Sequence, residues 1–196
     1  MSLIAVTGGI GAGKTTLLRF FAEAGGRIAD ADDVAHDVYL PGKPAHAAMV
    51  SRWGETILSN DGQIARAEVA KRVFGQAEEL AWLNNLVHPL IRQELLRLSQ
   101  EPGPHLFCAI PLLYETHWEP DCAKVVSAWC PADVQLQRLR ARGWSDEEIQ
   151  RRLATQLSMD EKLRRADYGI LTNCTWECLR EQCQRTYSSI CNALPL

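Results

Sequence analysis

The chain has 196 residues, 46% hydrophobic and 23% charged, a balance that suits one compact folded unit with a sizeable core and room for small subdomains. A formal net charge of −3 and a pI near 6.0 leave no general nucleic-acid footprint, and no apolar run is long enough to span a bilayer. Neither nucleic acid nor a membrane is therefore expected as a partner. The chain enters a strand at once, with no basic leader and cleavage site, so a cytoplasmic location is expected. The seven cysteines are odd in number, contain no C-x-x-C pair and fit no zinc spacing, so reduced thiols, buried or half-buried, are expected.

The first element is a short β-prone run at 3–7. It leads into Gly8-Gly9-Ile10-Gly11-Ala12-Gly13-Lys14-Thr15, which fits G-x-x-x-x-G-K-[ST], and then into an apolar stripe with helical spacing up to residue 24. Strand, glycine loop and helix form the setting in which backbone N–H groups curl around phosphate oxygens, assisted by the positive end of the helix. Lys14 can reach the β- and γ-phosphates, and the Thr15 hydroxyl can ligate Mg²⁺. A nucleoside triphosphate is thus the expected ligand. Gly25-Gly26 stops the helix, and a second strand at 27–29 ends in Asp30-Ala31-Asp32-Asp33. One carboxylate there can take a proton from an acceptor hydroxyl. Capping the next helix is the reading for Asp33.

Residues 34–100 show no strand pattern. They read as several helices separated by Pro41-Gly42, Asn60-Asp61-Gly62 and His88-Pro89, a block far longer than a crossover requires and suited to carry a second substrate. Strands follow at 105–110, 125–129 and 170–172. Helices are expected at 132–142, after the capping box Ser145 to Glu148, and at 175–192. Alternation of strands and helices predicts an α/β fold, a five-stranded parallel sheet flanked by helices. Its parts are a core of 1–33, 104–134 and 166–196, a helical acceptor-binding insertion at 34–103, and a helical lid at 135–165. The lid is basic. Arg138 and Arg142 share a helix face before Gly143 and suit phosphate, whereas Arg151 and Arg152 beside Glu147 and Glu148 read as a solvated, paired face.

N-K-x-D and L-S-G-G-Q are absent, and the third strand ends Cys108-Ala109-Ile110-Pro111 without an acid, so the usual water-activating apparatus of GTPases and motor ATPases is missing. A small phosphotransferase remains, with a nucleotide-dependent regulatory module as the reading from another class. At this point the residues resemble the dephospho-coenzyme A kinase family nearly end to end. The resemblance is carried by Thr7 to Thr16, Asp30-Ala31-Asp32, Gly62 to Arg66 ahead of Val73-Phe74, and His88-Pro89-Leu90-Ile91. It continues through Pro111 to Glu115, Gln135 to Arg142, Arg152 with Gln156, and Ala166-Asp167. It implies transfer of the ATP γ-phosphate to the ribose 3′-hydroxyl of dephospho-CoA, with Mg²⁺, by a monomer or weak homo-oligomer. Asp32 is the implied base, with Lys14 and Arg142 on the transferring phosphate. Gly9, Gly11, Ala12, Gly13, Lys14, Thr15, Thr16, Arg138 and Asn173 are implied to bind ATP. Asp32, Arg66, His88 and Leu113 are implied to face the acceptor. Other small-molecule kinases are the alternative. Two departures from the family pattern stand out: Ala109-Ile110 where an acid often precedes the P-L-L segment, and Asn173-Cys174-Thr175 where the late turn usually has N-x-G.

Overall fold

The computed structural model describes residues 2–194. In chain order the elements are β1 (Leu3–Thr7), α1 (Lys14–Glu23), β2 (Arg27–Asp30), α2 (Ala31–Val38), α3 (Pro44–Trp53), α4 (Arg66–Val73) and α5 (Ala77–Gln100). After these come β3 (Leu106–Ala109), β4 (Lys124–Trp129), α6 (Ala132–Ala141), α7 (Asp146–Leu153), α8 (Met159–Arg165), β5 (Tyr168–Leu171) and α9 (Trp176–Ala193). The chain divides into two units, Met1–Asp30 with Leu98–Leu196, and Ala31–Arg97.

The first unit holds all five strands, paired in parallel in the order β2-β3-β1-β4-β5, as the alternation predicts. Every residue of the central strand β1 is buried, the signature of a parallel strand covered on both faces. Val6 lies opposite Ala109 and Val126, and Thr7 opposite Ser127, so the carboxyl ends of these strands lie at one edge of the sheet, where the glycine loop emerges. The core is built from Ile4, Val6, Phe107 and Val126 of the sheet. Leu17, Phe20 and Phe21 of α1 pack there, as do Leu179, Cys183 and Ile190 of α9. Phe21 stacks on Phe107 with ring centroids 4.3 Å apart. The exposed edge of β5 is blunted by a side chain: the Gln182 amide accepts from the Leu171 N–H (3.1 Å) and donates to the Leu171 carbonyl (3.1 Å), standing in for a neighbouring strand.

The second unit is helical and has its own small core of Met49, Ile57, Ile64 and Val69, flanked by Trp53 and Trp82, whose rings meet edge to face at 5.0 Å. Two local expectations are corrected here. His88-Pro89 does not separate two helices: α5 runs unbroken through Pro89. Val87, Ile91 and Leu95 form one buried stripe at helical spacing, and its burial carries the helix past the single donor that proline lacks. Asp33 does not cap α2 from outside. The helix begins at Ala31, so Asp32 and Asp33 both lie in its first turn, where negative charge suits the positive helix end.

Candidate active site

The glycine loop turns sharply between β1 and α1, and each turn has a cause. Gly8 takes φ +139°, and a Cβ there would sit 2.5 Å from the carbonyl oxygen of Ala128. Gly13 takes φ +101° as the N-terminal boundary residue of α1, with no side chain capping the first turn. The helix thus presents its leading N–H groups and its dipole, the elements of an anion site. The Lys14 ammonium lies across the loop, donating to the carbonyls of Gly8 and Gly9, both at 3.0 Å. Thr15 is exposed beside it, and Thr16 returns its backbone N–H to Gly13.

Side chains from distant segments brace this loop. Gln135 donates to the Ile10 carbonyl (2.7 Å), and Gln156 accepts from the Ile10 N–H (3.2 Å), so both backbone groups of one residue are held. The buried Thr172 hydroxyl donates to the Ala12 carbonyl (2.7 Å). Arg138 reaches Thr172 Oγ1 (2.9 Å), the Thr172 carbonyl (2.7 Å) and, more weakly, the Gly11 carbonyl (3.4 Å). A cavity of about 320 Å³ lies next to Gly9, lined also by Trp129, Gln135, Gln156 and Met159.

A second brace is ionic. Lys162 of α8 is fully buried, and its ammonium donates to the Pro111 carbonyl (2.5 Å) and to Glu115 Oε1 (2.8 Å). The same carboxylate oxygen accepts the Leu157 N–H (2.7 Å), so the turn after β3, the α7–α8 connection and α8 meet at one charge pair. A buried cation is tolerable only with partners of this quality. Next to it Tyr114, with its hydroxyl buried, has its pKa pushed up to about 12, chiefly by burial and then by the charge of Glu119.

The other residues singled out from the sequence fall as follows. Arg142 closes α6 and is exposed, ahead of Gly143 at φ +82°. Asn173 is exposed immediately after Thr172, and Leu113 is fully buried while its neighbour Leu112 is exposed. In the helical unit, Asp32 is exposed in the first turn of α2 and Arg66 is the exposed first residue of α4. His88 is half-buried in α5, and burial holds its imidazole below the ordinary pKa. Arg151 and Arg152 both pair with Glu148, the solvated face expected of them, and Arg152 also lies over the Trp144 ring at 4.4 Å. Nothing in the sequence marks Gln135, Gln156 and Thr172 as braces of the glycine loop, or Lys162 as a buried cation. Gln135 and Gln156 belong to motif strings visible in the sequence, but their common target, the backbone of Ile10, is a tertiary fact.

A family model described as dephospho-CoA kinase matches residues 2–177. The chain belongs to the dephospho-CoA kinase family. Members that it resembles include the dephospho-CoA kinase of Yersinia pseudotuberculosis, 40% identical over 84% of this chain and 81% of that protein. The Carboxydothermus hydrogenoformans dephospho-CoA kinase is 37% identical over 93% of this chain and 91% of that one. Among solved structures, the Campylobacter jejuni dephospho-CoA kinase superposes with a TM-score of 0.73 at 25% identity, covering 97% of this chain and 98% of that one. A shikimate kinase from Acinetobacter baumannii, at 19% identity and TM-score 0.51, shares the fold. As a dephospho-CoA kinase family member the chain is an ATP-dependent phosphotransferase. Among the described residues no helix is long and apolar enough to cross a membrane.

Proposed function

We propose that this chain transfers the γ-phosphoryl group of ATP to the ribose 3′-hydroxyl of dephospho-CoA, giving CoA and ADP, in the cytoplasm and as a monomer or weak homo-oligomer. The observation that carries the reading is the braced glycine loop with Lys14 laid along it, in a chain whose family match spans residues 2–177. The loop amides of residues 9–13 and the N-terminus of α1 receive the triphosphate, with Thr16 beside them. Lys14 leaves the Gly8 and Gly9 carbonyls for the β- and γ-phosphates, where the charge of the transferring group builds. Arg138 and Asn173 border the nucleotide base. Asp32 accepts the proton of the attacking hydroxyl. Arg66, His88 and Leu113 face the acceptor, and Arg142 closes over the phosphates from a lid of residues 135–165. The assignment of 34–103 as the acceptor-binding part and of 1–33, 104–134 and 166–196 as the nucleotide core belongs to the same proposal.

Among the described residues there is no cluster of three or more His, Cys, Asp or Glu that would cage a metal ion. An exposed hydroxyl at Thr15 beside a phosphate-binding loop instead fits Mg²⁺ held by one protein oxygen, phosphate oxygens and water. When bound, the ion would neutralise negative charge on the triphosphate. The test is ADP release measured across acceptors. Dephospho-CoA should support turnover while nucleosides, sugars and shikimate do not; turnover with one of the others and none with dephospho-CoA refutes the assignment.

A further inference from the structure

Cys174 and Cys178 depart from the expectation that the thiols are buried or half-buried. They are the two exposed cysteines of the chain, whereas Cys108, Cys130 and Cys183 are buried and Cys122 and Cys191 half-buried. They are also neighbours. The Gln182 amide nitrogen lies 3.4 Å from the Cys174 sulfur and 3.7 Å from the Cys178 sulfur, so one amide touches both thiols. The local fold explains this. Thr175 caps α9, its hydroxyl accepting the Cys178 N–H at 3.3 Å, so one cysteine precedes the cap and the other lies in the first turn above it.

We propose that Cys174 and Cys178 form a redox-active dithiol whose oxidation to an intramolecular disulfide weakens ATP binding. The oxidant is a small-molecule disulfide. One cysteine thiolate attacks a sulfur of that disulfide and expels a thiolate, giving a mixed disulfide. The second cysteine thiolate attacks the protein sulfur and expels the other half. Two protein thiols lose two electrons and two protons, and the oxidant leaves as two thiols.

The coupling to the nucleotide site, which rests on the proposed function, runs through four residues. Cys174 donates its S–H to the Leu171 carbonyl at 3.2 Å, and Gln182 holds both Leu171 backbone groups as well as the two sulfurs. The residue after Leu171 is Thr172, which holds the Ala12 carbonyl and Arg138. A disulfide brings the sulfurs to about 2.0 Å, closer than any thiol contact, and removes the Cys174 S–H. Leu179, buried one turn into α9, anchors the helix side. The adjustment therefore falls on 172–174, the segment that braces the phosphate loop.

The test uses the full chain, reduced and then treated with oxidised glutathione. Trypsin releases residues 166–180, which contain these two cysteines and no others. The expected result is that this peptide loses two hydrogens and resists alkylation, and that the Kd for an ATP analogue rises about fivefold, the low end of ordinary coupling between sites. Dithiothreitol should reverse both changes. C174S and C178S, each at an exposed position, should bind the analogue like the reduced protein, and their 166–180 peptide should carry at most one glutathione adduct and never lose two hydrogens. A peptide that stays alkylatable, or carries only glutathione adducts, overturns the dithiol. A disulfide formed with unchanged analogue affinity overturns the coupling. Failure of the reduced protein to bind the analogue at all refutes the reading of the glycine loop, whatever the mass shift.

Discussion

Gly8 and Gly62 both hold left-handed backbone, at φ +139° and +78°, yet they answer to different constraints. A side chain at Gly8 would strike the Ala128 carbonyl of β4 and press on Ala12, whereas around a side chain at Gly62 there is nothing within 4 Å. At Gly8 the chain conformation is demanded twice, by its dihedral and by its neighbours; at Gly62 the turn answers only to its dihedral. Two charge pairs, one from each unit, differ in the same way. Lys162 is buried with its partners, while Arg52 of the helical unit pairs with Glu79 at the surface. There the Arg52 hydrogen bond, and then that from Trp53, hold the carboxyl down to about 2. The phosphate loop is over-determined by its neighbours, whereas the Gly62 turn of the helical unit is set locally.

The largest effect that sharpens this contrast is on chemistry. Lys14→Ala should lower kcat by about a thousandfold or more and weaken ATP binding, on the scale of losing a cation from the charge-bearing phosphates. Steady-state kinetics and nucleotide titration check it, and wild-type turnover would break the view of the loop as the reaction centre. Next, Asp32→Asn should cut kcat by roughly 10²–10⁴ with substrate binding nearly intact, while Asp33→Asn, one residue along the same first turn, does much less. Reversed effects would move the base to Asp33. The smallest effects are on stability and test the contrast itself. Gly8→Ala should destabilise the fold by about 3 kcal/mol, from backbone strain plus a clash that backbone cannot relieve, whereas Gly62→Ala should cost about 1 kcal/mol, from its dihedral alone. Urea unfolding of both variants measures the difference, and equal losses would erase it.

Local rules carried far in this chain. The sequence 3–16 specified strand, loop and helix because each step depends on residue type within a few positions: β-prone residues, then glycines, then an apolar stripe. The capping box at Ser145 is also local, and its hydroxyl accepts the Glu148 N–H as expected. The pairing of Arg151 and Arg152 with Glu148 was legible from helical spacing.

What the residues alone left open depends on burial and on contacts between distant segments. Pro89 looked like a helix end because a missing donor is a local cost. Only the buried stripe of Val87, Ile91 and Leu95 shows what outweighs it. Gln135, Gln156 and Thr172 look like ordinary polar residues until the sheet order brings α6, the α7–α8 connection and the end of β5 to one loop. Lys162 reads from the sequence as one more surface cation, and its neutralisation by Glu115, 47 positions away, exists only once β3 and α8 have packed. Cysteine spacing likewise gave no hint that Cys174 and Cys178 share one amide. The cap at Thr175 and the position of Gln182 on α9 put them there, because side-chain proximity across a helix start is set by backbone geometry, not by residue type.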